Sequence, residues 1–284
     1  MQAGNRGDGD VRVAGAAGPP PVAPRWDETR AALRVMAERA ADLLRSAPAA
    51  TVPIPRSGWT VADAAAHLVL GARLYADLAA GADSPFTDLR DLAGTNARLL
   101  GQFPERRAAP LADALLAAER DFLAALTGRS GTEPVRWHQG IPLTLSALAH
   151  LQLGELLIHG WDIARGVGRP WPIEPAHARL VLSSLPTVLP WFVDERAARG
   201  VRARYDIRIR RGPRFVCHVA DGRLTIEPSG AGPVDCIISA DPVAFLLVGY
   251  GRVSQWGPIL RGQMLAWGRK PWLAFAFKRL LRNP

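Results

Sequence analysis

The hydrophobic pattern of this 284-residue chain changes period once, near residue 200, and that change limits what the chain can fold into. Upstream, apolar residues recur at helical spacing. Leu33, Ala37, Ala40 and Leu44 predict a helix from Trp26 to about Ser46, and Pro48, Pro53 and Pro55 then break it. Thr60, with Asp63 three residues on and Trp59 just before it, reads as the cap of a second helix that runs to about Ala80, ahead of Gly81. Further helices are expected over 88–102, from near Pro110 to Leu126, and from near Thr144 to Gly166–Gly168. One more, at 175–194, should be interrupted by Pro186 and Pro190. Ser130–Pro142 reads as a loop, and no strand-like alternation stands out before residue 200, so the first half is expected to be a helical bundle.

Downstream the runs YDIRIR, RFVCHV, RLTIEP and VDCIIS are short, β-rich and separated by Gly and Pro. Asp241-Pro242 then opens a helix with Pro at its first position. The chain ends in a basic, amphipathic stretch, PWLAFAFKRLLRNP. This half reads as a small α+β domain with an antiparallel sheet. The length suits two domains, expected at 25–195 and 200–284, after a Gly/Ala/Pro-rich disordered lead-in over 1–24.

Charge divides the chain in the same place. The overall +9 is the sum of −2 over residues 1–195 and +11 over residues 196–284, and no acid follows Asp241. Such a basic half could contact an anionic surface or draw in an anionic substrate; nucleic acid is not expected, because no recognition motif accompanies the charge. No run reaches the roughly 18 apolar residues of a membrane-spanning helix, and the lead-in lacks the apolar core of a secretory signal. Two cysteines, Cys217 and Cys236, make no disulfide framework and suit a reducing cytoplasm. Both fall in β-rich runs and are expected to be small core hydrophobes.

The chemistry-bearing residues concentrate on two helices. Glu155 and His159 are four apart and share a helix face. A carboxylate and an imidazole so placed can hold one divalent metal, with a third ligand supplied from elsewhere. His67, in VADAAAHLVLGARLY, is the natural third, because Ala64 and Gly71 on its face leave room beside the ring. Two histidines and one carboxylate leave coordination positions open for water, thiol or substrate, and the set alone would also admit iron, nickel or manganese. Gln152 and Asp162 flank the same face and could orient ligands. His138, His150, His177 and His218 have no partner at ligand spacing and read as structural or exposed.

GWTVADAAAHL, followed by GELLIHGWDIARGVGRPW, resembles the mycothiol-dependent maleylpyruvate isomerase family, within the DinB-like four-helix metalloproteins. The resemblance covers roughly residues 25–195, and residues 200–284 look like the sterol-carrier-like domain that follows the bundle in many members. It implies zinc held by His67, Glu155 and His159, and mycothiol as thiol cofactor. It further implies cis–trans isomerisation of an activated double bond by a metal-held thiolate, or thiol S-transfer to a related electrophile. A dicarboxylate substrate would need cationic clamps; Arg98, in GTNARLL, and Arg252, in YGRV, are the candidates, the second placing the site at the domain junction. The competing expectation is a non-catalytic module that binds an apolar ligand or lipid through the C-terminal domain.

Overall fold

The computed structural model describes residues 23–282, apart from positions 48, 228, 229 and 231. It is a mixed α/β protein with a helical N-terminal region and a strand-rich C-terminal region. Most of the expected lead-in lies outside the described residues. Its last part is already packed, since Ala23 is buried and its N–H donates to Ser130 O at 2.7 Å.

The helical region begins with α1 (Trp26–Arg45), α2 (Val61–Ala79), α3 (Leu92–Gln102) and α4 (Ala108–Ala125). The expected cap of α2 is present: Thr60 Oγ1 accepts from Asp63 N at 3.2 Å while Asp63 Oδ2 accepts from Thr60 N at 3.0 Å. Strands β1 (Pro134–Arg136) and β2 (Pro142–Thr144) then form a small antiparallel hairpin. The sequence shows only a loop there, because three-residue strands flanked by proline carry no alternation to read. The longest helix, α5 (Leu145–Val167), starts at Thr144, whose hydroxyl accepts from Ala147 N at 3.2 Å, and stops at Gly168 in the left-handed conformation (φ 69°). Helices α1 and α2 each pack against both α4 and α5. Leu145, Leu148, Leu153, Leu156 and Leu157 of α5 have no exposed surface, and each such side chain contributes on the order of 1.5–3 kcal/mol of burial.

Proline breaks the next helix where expected, into α6 (Pro175–Ser183), α7 (Leu185–Val188) and a 3-10 turn at Leu189–Phe192, followed by the short α8 (Glu195–Ala198). The strand-rich region comprises β3 (Ala203–Ile209), β4 (Arg214–Ala220), β5 (Arg223–Glu227), β6 (Cys236–Ala240), α9 (Pro242–Gly249), α10 (Trp256–Leu260), β7 (Met264–Trp267) and α11 (Leu273–Phe277). The sheet order is β5-β4-β3-β6-β7. It is not wholly antiparallel, as expected from sequence: β3 and β6 run parallel, Tyr205 beside Cys236 and Ile209 beside Ala240. A strand's composition does not state its partner's direction, and here the connection from β5 to β6 carries the chain past two strands. The edge strand β7 was also not read, because its four residues follow a glycine-punctuated segment.

The two regions share one continuous core. Helix α9 packs on α6, Val193 bridges Leu281, and Asp194 N donates to Leu280 O at 2.8 Å. No helix among the described residues is long and apolar enough to cross a membrane. Both cysteines are buried and unpaired in β4 and β6, and burial pushes the Cys217 thiol up to about 12.

Candidate metal centre

Helix α2 supplies His67 and α5 supplies Glu155 and His159. One ligand-type atom from each lies within 4.8 Å of the other two. Glu155 Oε2 stands 3.1 Å from His67 Nε2 and 3.3 Å from His159 Nε2. Four ligands at about 2.1 Å around a tetrahedral metal stand roughly 3.4 Å apart, so these separations are those of ligands sharing one ion. The donor set, two imidazoles and a carboxylate with room for a further group, fits a catalytic divalent metal. The three side chains keep 15%, 26% and 12% of their surface, which opens into a cavity rather than onto the outer face.

Charge is balanced through a chain of contacts. Burial lowers the His67 imidazole. For His159, burial also works against the charged form, but Asp162 and Glu155 outweigh it and raise the group. Burial would raise Glu155, yet the contacts from His159 and His67 hold its carboxyl far below the usual carboxylate range. Asp162 Oδ2 lies 3.2 Å from His159 Nδ1, which turns Nε2 toward the cluster. Arg252 in turn reaches across from the strand-rich region and grips Asp162 with Nε at 3.0 Å and Nη2 at 2.5 Å. The Trp59 ring covers both imidazoles, 5.1 Å from His67 and 5.6 Å from His159 between centroids.

Local packing explains the residues around the ligands. Gly160, next to His159, carries no side chain because a Cβ there would overlap the Trp171 ring, whose Nε1 donates to Leu157 O at 3.1 Å. At Gly154 a Cβ would stand 3.2 Å from Val181 Cγ1, so this glycine lets α6 pack closely on α5. Gln152 does not face the cluster. Its amide donates to Glu119 inside the helical core, and burial pushes Glu119 up to about 8 against that hydrogen bond.

The cavity has a volume of about 1030 Å³ and takes walls from both regions. Arg252 lines it, as the sequence suggested. Arg98 does not: its side chain is 63% exposed and held on the outside by Thr95 and Asp91. Four lining residues were not singled out by sequence. Tyr75 and Tyr250 are phenols that burial pushes up, so both stay protonated donors. His138 bonds Ser84 Oγ at 2.8 Å, stacks between Phe86 and Trp137, and is lowered by burial to about 4. Lys278 is half-buried, and its side chain makes no ion pair or hydrogen bond among the described residues. Its one sequence signal is that the chain's two lysines both fall in the closing segment. His150, by contrast, is structural as expected, held by Thr29 at 3.1 Å and Ser184 at 2.7 Å.

Fold and site together define a class: a mixed α/β protein whose helical half carries a His/Glu/His cluster under a strand-rich half. Residues 29–164 match the family model of the mycothiol maleylpyruvate isomerase N-terminal domain. A crystal structure of a histidine-to-alanine variant of the mycothiol-dependent maleylpyruvate isomerase is similar in fold, with a TM-score of 0.53 at 13% identity over 84% of this chain and 92% of that one. A second crystal structure of mycothiol-dependent maleylpyruvate isomerase gives 0.50 at 15% identity, over 80% and 90%. No curated protein matches the sequence.

Proposed function

We propose that the chain is a mycothiol-dependent metalloenzyme acting on a small anionic electrophile, by cis–trans isomerisation of an activated double bond or by thiol S-transfer. The observation that carries this reading is the meeting of His67, Glu155 and His159 in one cavity within a mycothiol isomerase-type helical region. Zinc is the proposed metal. A metal held by His67, Glu155 and His159 would, when bound, supply the positive charge that keeps the sulfur of mycothiol as a nucleophilic thiolate.

The chain's own residues do the rest. His67, Glu155 and His159 hold the ion, and Asp162 fixes the His159 ring so that Nε2 faces it. Arg252 fixes Asp162, and its remaining surface faces the cavity beside Lys278. These two cations are proposed to receive the carboxylates of the substrate, Lys278 because no protein group takes up its charge. Trp59 and the apolar walls keep water from the reacting atoms. Residues 25–195 and 200–284 are proposed as the two domains, the second sterol-carrier-like, and two buried free thiols agree with a reducing cytoplasm.

Metal per chain, measured on wild type and His159→Ala purified in parallel, tests the reading. Near-stoichiometric metal that drops sharply in the variant supports it and justifies assay with mycothiol and maleylpyruvate. Wild type that binds no metal when zinc is offered overturns it. The reading left standing would then be a non-catalytic binder of apolar ligands, which the apolar lining of the cavity favours. With metal bound, turnover of maleylpyruvate selects isomerisation; its absence, with thiol conjugation of other electrophiles, selects transfer.

A further inference from the structure

The strand-rich region exposes large apolar side chains in one place. Trp256 is 56% exposed, Leu260 87%, Trp272 61% and Phe275 45%. Trp256 and Leu260 are four apart and share a face of α10. The Trp256 ring lies 5.4 Å from that of Phe275 on α11, which joins the two helices into one patch. Trp272 and Phe275 also line the cavity, together with Ile259, so the apolar wall of the cavity continues onto the outer surface at this point. Folding has left these side chains in water although the same helices bury Pro258, Phe277 and, just beyond, Leu280. Monomeric proteins rarely leave such a contiguous patch without use.

The patch is set in positive charge. Between residues 242 and 282 there is no acid, while Arg261, Arg269, Lys270 and Arg279 all lie in the segments that carry it. Arg269 and Lys270 share one acid, Asp235, at 3.1 and 3.3 Å. Arg261 bonds only the neutral Gln263. Two copies of this face would bring like-charged rims together. An anionic sheet of lipid headgroups would instead meet the cations while tryptophan and leucine entered the interface, the arrangement of interfacial membrane contacts.

We propose that the α10–α11 face docks on an anionic lipid bilayer, with Trp256, Leu260, Trp272 and Phe275 inserted and Lys270 and the surrounding arginines on the headgroups. The cavity mouth then opens toward the lipid, so a ligand with an apolar part can enter from the membrane side. This inference does not depend on the metal chemistry.

Flotation of the full chain with phosphatidylcholine vesicles, with and without phosphatidylglycerol, tests it at low and high salt. Binding should be at least about tenfold stronger to the anionic vesicles and should fall with salt. Leu260→Asp, at a side chain that packs on nothing, should cut binding by about tenfold or more with an unchanged far-ultraviolet spectrum. Brominated lipid should quench tryptophan emission in the unaltered protein. Absence of binding to anionic vesicles at low salt, undiminished binding of Leu260→Asp, or lack of quenching would each overturn the proposal. So would a wild-type dimer that Leu260→Asp converts to monomer, since the patch would then be a contact between copies.

Discussion

Replacing Glu119 by glutamine should stabilise this protein, increasingly as pH rises. Glu119 is 1% exposed, in the core between α4 and α5, and its carboxyl is pushed up to about 8 from 4.5. Gln152 Nε2 donates to one of its oxygens, while the other, and the Gln152 carbonyl oxygen, have no partner. A proton on that free oxygen closes a second hydrogen bond to the amide, which is why the neutral form suits the site. Below pH 4.5 folded and unfolded chains both hold the proton, and the full stability is present. As pH rises toward 8 the unfolded chain releases a proton that the folded one keeps, so stability falls; above 8 both have lost it and the decline stops. From pH 5 to pH 8 this one group removes about 3 kcal/mol. Glutamine copies the protonated acid and has nothing to titrate. Urea unfolding of both proteins at pH 5 and pH 8 measures the effect, groups common to both cancelling in the difference. A pH dependence equal in the two proteins, within about 0.5 kcal/mol, would refute the reasoning that burial controls this carboxyl.

Four further outcomes are expected. Asp162→Asn keeps the shape beside His159 but removes the charge that orients it and anchors Arg252, so metal affinity measured by chelator competition should fall about 10–100-fold. Gly160→Ala places a methyl against the Trp171 ring and should cost about 1–3 kcal/mol in unfolding experiments, with little effect if Trp171 can step aside. Lys278→Gln should raise KM for a dicarboxylate substrate by about tenfold while leaving kcat within a factor of a few, read from steady-state kinetics. Cys217 and Cys236 should stay unreacted toward a thiol reagent in the native protein and both react in denaturant, since both are buried and Cys217 is raised to about 12.

Where a local signal existed, the chain could be read. Thr60 and Asp63 announce α2 by chemistry that acts within one turn, and Glu155 and His159 announce a shared face because helical spacing alone puts them there. His67 followed from the small residues around it. The failures are all non-local. Nothing in CIISA tells β6 to run parallel to β3, and nothing in Arg98 distinguishes it from an arginine that turns inward; its helix presents Asn96, Ala97 and Leu99 to the cavity and sends Arg98 outward. Lys278 becomes a cavity residue only because the last helix folds back over the bundle, held by backbone bonds at Asp194 and Phe192. Gln152 shows the converse error: it has the right spacing, but its partner is Glu119, buried on a different helix.

The contact between Arg252 and Asp162 has a consequence in time as well as in space. The ribosome makes α2 and α5 long before Arg252 and Lys278, so His67, Glu155 and His159 are in place on their helices while the nascent chain still lacks its cavity wall. Such an intermediate would leave the three side chains under open solvent, with His159 leaning on an aspartate that nothing yet anchors. Only when the final segment closes does the triad acquire a fixed orientation and a dry approach. Synthesis order therefore separates assembly of the proposed metal site from closure of its cavity, and a chain released early would have the first without the second.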